Sequence, residues 1–273
     1  MLTLILSDPA TRNSMSAEMA AELSAEIDRF EGASDLRVLL VTGRDPAFCS
    51  GANVRRMSEA NLERVPSRPP GPDAWTELAE AAAEPGEEDS GEVEEMDAVR
   101  LLPLRLHRLR KPSIAAVNGP AVGLGMGVAL GCDIRLASEK ATFSEGFVKM
   151  GLIPADGSCW HLPRMIGMGN ALLLQYTGDA ITADEAFRMG LVSRVTLHED
   201  LVGVATELAR RLSGGATYSM SLIKRLAHVS LEVDLEESMR LAGCAQALSR
   251  RTMDHREGVD AFMDKRAPRF RGR

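Results

Sequence analysis

The chain is 273 residues long, 45% hydrophobic and carries a net charge of −7. That length supports one sizeable core, the negative balance argues against a nucleic-acid partner, which needs clustered cations, and no run is long enough to cross a bilayer. Cys49, Cys132, Cys159 and Cys244 lack C-x-x-C spacing and no basic leader precedes the first strand, so the expectation is a cytoplasmic protein with four reduced, buried or half-buried thiols.

In chain order, Leu2–Leu6 reads as a strand that begins at once. Ser16 is placed to cap an Ala- and Leu-rich amphipathic helix. Val38–Thr42 is apolar and β-branched and reads as a buried strand. Between Ser58 and Val99 the composition turns Pro-rich, then strongly acidic. This insertion, about 58–98, reads as a solvated surface loop or as a lid with Trp75 and Leu78 as its apolar contacts. Met96–Leu109 reads as a helix that Pro103 kinks or restarts. Its Arg100, Arg105, Arg108, Arg110 and Lys111 read as a solvated face. Ile114–Val117 predicts a second buried strand, Gly123–Leu130 a tightly packed helix, and Ile134–Ala137 and Ala141–Phe143 short strands. Then follow a helix over Ala183–Met189, a strand over Val192–Val195, and helices over Asp200–Leu212, Met220–Val229, Leu235–Leu248 and Arg256–Lys265.

Two stretches carry the chemistry: Ala47-Phe48-Cys49-Ser50-Gly51-Ala52-Asn53, and Asn118 through Gly127. Each follows a buried strand, is rich in Gly and runs into a helical pattern. Glycine permits a sharp turn and close approach of another backbone, and a helix N-terminus presents unpaired N–H groups with a partial positive charge. Two such bends side by side aim two amides at one developing negative oxygen, which is an oxyanion hole made of main chain.

Five ordered blocks resemble the enoyl-CoA hydratase/isomerase (crotonase) superfamily. They are Arg12-Asn13-Ser14-Met15-Ser16; Val38 to Met57; Lys111 to Asp133, the most specific; Gly151 to Gly167 with Ala183-Asp184-Glu185-Ala186 and Gly190-Leu191-Val192; and Phe262 to Arg266. The resemblance implies an α/β fold, a crotonase-like spiral of ββα units with a C-terminal helical oligomerisation region. It divides the chain into a spiral core over 1–195 and helices over 196–273, assembled as a homotrimer or a dimer of trimers. It also implies an acyl-CoA substrate, with coenzyme A present only as part of that substrate, no other cofactor, no metal and no membrane partner. The amides of Ala52 and Leu124 match the family's two oxyanion donors. Arg12, Gly51, Arg55 (or Arg56), Gly123, Phe147, Phe262 and Lys265 match substrate-contacting positions, the last two at the nucleotide end and often from a neighbouring subunit.

The two glutamates of a family hydratase match Gly127 and Phe147 here, and neither can move a proton. Asp156, one residue beyond a position that is acidic in some other family members, is the replacement acid, or else the cap of the helix opening near Gly157. Glu145 is the second choice, with a solvent or ion-pair role as its default. His161 reads as a structural histidine, and His107, His198, His228 and His255 lie outside the matching blocks. Cys159 lies near the same loop, which leaves a reactive thiol as a minor alternative. The resulting expectation is an isomerase-like double-bond shift on an acyl-CoA, with Asp156 as proton shuttle. Thioester or C–C hydrolysis is the alternative within the family, and a non-catalytic acyl-CoA-binding paralogue is the alternative outside enzymes.

Overall fold

The computed structural model describes residues 1–52, 75, 78, 99 and 101–272. Five parallel strands form the main sheet in the order β1-β2-β3-β5-β8: β1 is Leu2–Leu6, β2 Leu39–Gly43, β3 Ser113–Val117, β5 Ile134–Ser138 and β8 Arg194–Thr196. A smaller sheet joins β4 (Ala121–Val122), β6 (Thr142–Ser144) and β7 (Ile181–Thr182), with β4 parallel and β7 antiparallel to β6.

The apolar runs of β2 and β3 are continuous because both faces of the sheet are covered. Leu39, Val41, Ala115 and Val117 point into the larger core, which includes Leu23, Ile27 and Phe30 of α1 (Ala17–Gly32). The alternate set, Val38, Leu40, Ile114, Ala116 and Leu136, packs on Leu201, Ala205 and Ala209. Each large side chain fully buried this way contributes about 1.5–3 kcal/mol. Ser16 caps α1 as expected, its hydroxyl accepting from the Met19 amide at 3.1 Å.

The basic segment departs from its expected solvated role only in part: Arg108 and Arg110 are exposed, Arg105 and Lys111 are half-buried, and Arg100 lies outside the described residues. α2 (Leu102–Arg108) carries Pro103 in its first turn, where a missing N–H costs nothing. Arg105 pairs with Asp28, Arg110 with Glu31, and Lys111 Nζ donates to the Phe30 and Ala33 carbonyls at 2.6 Å each. These cations therefore clamp the C-terminal half of α1.

After β4 come α3 (Leu124–Gly131), α4 (Ser158–Ile166), α5 (Met168–Thr177) and α6 (Ala183–Met189). β8 starts two residues later than predicted because the Leu191 and Val192 amides bond back to the Ala186 carbonyl and close a turn. The chain ends in α7 (Leu201–Ser213), α8 (Thr217–Val229), α9 (Leu235–Ser249) and α10 (Met253–Met263). α10 begins three residues before the predicted Arg256, since Thr252 caps it by accepting from the His255 amide. Among the described residues no helix is long and apolar enough to cross a membrane. Trp75 and Leu78 are exposed, and the rest of the proposed lid lies outside the described residues up to Val99.

Candidate active site

The first bend is built around two buried asparagines. Asn13 Nδ2 donates to the carbonyls of Arg44 (2.6 Å) and Ala47 (2.7 Å), and its Oδ1 accepts from the Asp8 amide. Asn118 Nδ2 donates to the same Ala47 carbonyl and to Asp45 Oδ1, while its Oδ1 accepts from Gly43 N. These bonds fix the path from β2 into Phe48-Cys49-Ser50. The two bends then zip together. The Phe48 and Cys49 amides both donate to Pro120 O at 3.1 Å, and Val122 N donates to Cys49 O at 3.0 Å.

That pairing brings Gly51, the residue before Ala52, beside the start of α3. Gly51 sits at φ +98°, and a Cβ there would lie 2.9 Å from Val122 O and 4.0 Å from Leu124 N. Ala52, next in sequence, is half-buried and opposite Met15, and Met15 N donates to Gly51 O at 2.7 Å. Leu124 opens α3, so its N–H has no partner within the helix. Among the described residues neither the Ala52 nor the Leu124 amide donates to a backbone carbonyl.

Asp156 lies one residue before Gly157, the N-cap of α4. Its Oδ1 accepts from the Ser158 amide at 3.1 Å, at the first residue of α4. Its Oδ2 is buried against Gly127 and, among the described residues, has no hydrogen-bond partner. A Cβ on Gly127 would sit 2.7 Å from that oxygen and 2.8 Å from Asp156 Cβ. Helical Cβ atoms tilt toward the N-terminus, so the Asp156 carboxyl fills the missing side-chain space of Gly127, on the side of the Leu124 amide one turn earlier.

Glu145 is not the solvated or ion-paired residue expected from sequence. It is 1% exposed and Asp156 3% exposed. Glu145 follows β6, whose last residue ties the strand to the second bend: Gly123 N donates to Ser144 O at 2.8 Å. Ser158 Oγ donates to Glu145 Oε2 at 2.7 Å, and Glu145 Oε1 is buried without a partner. Burial, then the Asp156 charge, push the Glu145 carboxyl up to about 8. Burial also raises Asp156. Both shifts disfavour the charged form for want of water.

Phe147 is half-buried, its ring against Gly123, where a Cβ would meet it at 3.2 Å. Arg12 is exposed, and its carbonyl accepts from Ser50 N, which places it beside the first bend. Arg55 and Arg56 lie outside the described residues. Phe262 is 82% exposed and Lys265 closes the end of α10. No described hydrogen bond or ion pair joins either to the bends or the carboxyl pair within this chain. Cys159 and Cys244 are exposed, against expectation, while Cys49 and Cys132 are buried; all four are free. Burial and the two nearby carboxyls raise the Cys159 thiol, which makes it a poor nucleophile at neutral pH.

Sequence reasoning passed over Ser158, which joins the two acids, and Asn13 and Asn118, which shape the bend. A signal for the first was present: Asp156-Gly157-Ser158 is the pattern of an acidic side chain bonding two residues onward at a helix start. It also passed over a cluster at the other end of α3. His107, His161 and His228 meet edge to face there with ring centroids 4.2–5.1 Å apart, and Trp160 stacks beside them. They line a cavity of about 430 Å³ next to the Asp133–Lys224 ion pair (2.8 Å). Burial lowers His107 to about 4 and His161 to about 3. Among the described residues no group of three His, Cys, Asp or Glu side chains is placed to hold a metal ion.

The family model for enoyl-CoA hydratase/isomerase matches residues 1–83 and 76–273. The chain is 35% identical over 272 residues to the 1,2-epoxyphenylacetyl-CoA isomerase of Escherichia coli, covering 100% of this chain and 95% of that one. It is 32% identical to the (E)-benzylidenesuccinyl-CoA hydratase of Thauera aromatica, covering 98% and 94%. The crystal structure of an enoyl-CoA hydratase from Bacillus anthracis superposes with a TM-score of 0.83 at 29% identity, over 99% of this chain and 95% of that chain. With its matching blocks, parallel sheet and paired bends, this chain is an enzyme of the enoyl-CoA hydratase/isomerase family.

Proposed function

We propose that the protein binds an acyl-CoA thioester with its carbonyl oxygen between the Ala52 and Leu124 amides, and that Asp156 moves a proton on the acyl chain. Each preorganised amide supplies about 3 kcal/mol as the oxygen gains charge. The α3 N-terminus adds its partial positive charge. Asp156 takes a proton from carbon, the C–H electron pair enters the enolate, and the same carboxyl returns the proton to a different carbon. The net result is a double-bond shift. Phe147 and Gly123 border the thioester, Arg12 and Arg55 serve the nucleotide, and Phe262 and Lys265 act on a neighbouring copy. Ile223, Leu235, Met239 and Phe262 leave large apolar surface exposed on α8 to α10, which supports reading that region as the self-association surface.

The observation that carries the proposal is the fit of the Asp156 carboxyl into the side-chain space of Gly127, with one oxygen left unpartnered. An acid supplied from the α4 loop stands where a helix-borne acid would otherwise project. The Escherichia coli relative, named as an isomerase of a CoA thioester, fits a proton shift without water addition. The test is incubation with a 3-enoyl-CoA, following formation of the conjugated 2-enoyl-CoA. The expected outcome is conversion by the natural protein and none by Asp156→Asn. A hydrated or hydrolysed product would replace the isomerase reading, and binding of the thioester without turnover would support the non-catalytic one.

A further inference from the structure

We propose that Glu145 is a positioning residue that keeps one proton in the site: the two buried carboxyls carry a single proton between them, held on Glu145, and Asp156 meets the substrate as the anion. The inference rests on the reading of Asp156 as the group that moves protons. It goes beyond that reading by giving Glu145 and Ser158 a task.

The geometry carries it. Two carboxyls from different elements, one after β6 and one before α4, are both buried and both tied to Ser158. Among the described residues neither forms an ion pair. Two buried anions with no counterion are too costly to coexist, so one proton stays. Asp156 has the better claim to the charge. It accepts the Ser158 amide at the N-terminus of α4, where the helix's partial positive charge favours an anion. Glu145 has the Ser158 hydroxyl alone. With 2.7 Å between Ser158 Oγ and Glu145 Oε2, either oxygen can carry the proton between them. Among the described residues, the other titratable group set against the pair is the Cys159 thiol, on α4. The α3 and β6 segments packed on the site contribute no ionisable side chain.

The proton count closes. Before transfer the site holds an Asp156 anion, a Glu145 acid and a neutral thioester, for a charge of −1. After transfer it holds two neutral carboxyls and an enolate, again −1. Were Glu145 ionised, the enolate would form beside a second negative charge. The rate is therefore expected to fall as pH rises past the Glu145 titration.

The experiment measures exchange of the α-protons of butanoyl-CoA with solvent deuterium across pH 5 to 10, for the natural protein, Glu145→Gln and Ser158→Ala. Folding of each variant is checked by its thermal transition. Infrared difference spectra report any protonated buried carboxyl at neutral pH. The expected result is an alkaline decline in the natural protein that Glu145→Gln abolishes, with its neutral-pH rate lowered by up to about tenfold. In Ser158→Ala the decline moves to higher pH, because Ser158 lowers Glu145. A carboxylic-acid band at neutral pH should be lost in Glu145→Gln. If that band is absent from the natural protein, or the alkaline decline survives in Glu145→Gln, the proposal is overturned. If the band behaves as expected but no acyl-CoA exchanges, the proton sharing stands and the functional reading of Asp156 falls. Should Glu145→Gln fail to fold, the direction of the Ser158→Ala shift decides: no shift, or a downward one, overturns the proposal.

Discussion

The two ends of α3 hold clusters of ionisable side chains that burial has pushed in opposite senses. At the N-terminal end, Glu145 and Asp156 are raised; at the C-terminal end, His107, His161 and His228 are lowered. Both shifts favour neutral groups. The difference lies in what remains unsatisfied. The histidine rings pack edge to face with one another and Trp160, whereas among the described residues each carboxyl keeps one buried oxygen without a partner. A displaced protonation equilibrium therefore marks burial at both ends, and the unsatisfied polar atoms single out the carboxyl end as the candidate for chemistry.

Several substitutions sharpen or break this contrast. The largest effect belongs to Asp156→Asn, which should lower proton exchange on an acyl-CoA by about 10²- to 10⁴-fold; thermal stability should hold or rise, since a buried acid becomes neutral. A rate within twofold would remove the carboxyl end from the mechanism. Next comes Gly127→Ala. Its methyl group would press on Asp156 Oδ2, so denaturant unfolding should show a loss of about 1–3 kcal/mol, and exchange should slow with it. If stability and rate are both unchanged, the two residues do not share that space.

The pH dependence of stability should separate the ends. Glu145 has an ordinary value of 4.5 and about 8 when folded. It is therefore protonated more in the folded than in the unfolded chain, and stability falls as pH rises between those values. Glu145→Gln should flatten that fall and raise the thermal midpoint at pH 8 by a few degrees, roughly. The histidines run the other way. The ordinary value of 6.5 drops to about 4 for His107 and about 3 for His161. The unfolded chain then binds more protons, and stability declines as pH falls from 6.5 toward those values. His161→Phe should reduce the acid-side decline while leaving turnover within about threefold, the smallest expected effect. A large loss of turnover in His161→Phe would mean that the two clusters act together.

Much of this was legible in the residues themselves. The β-branched runs located β2 and β3, and Ser16 and the Gly-rich bends marked where α1 and α3 begin. The carboxyl pair was harder to see because it depends on contacts between elements. Glu145 lies two residues before Phe147, a position that reads as surface until the chain after β6 turns it inward. Gly127 reads as the loss of an acid, and only packing against Asp156 shows that the space is filled. The histidine cluster draws on α2, α4 and α8, and no local spacing could join residues 107, 161 and 228. The basic run before β3 misled for the same reason, since its partners Asp28 and Glu31 sit on α1.

The close approach of residues 127 and 156 also bears on how such a site can change over generations. A glutamate introduced at 127 would collide with the aspartate already in place, so the family's helix-borne acid cannot be regained in one step without dislodging the loop-borne one. Position 156 has to shrink first, which leaves an intermediate with neither acid. Steric exclusion between two neighbours thus sets the order in which acids at these two positions could be exchanged.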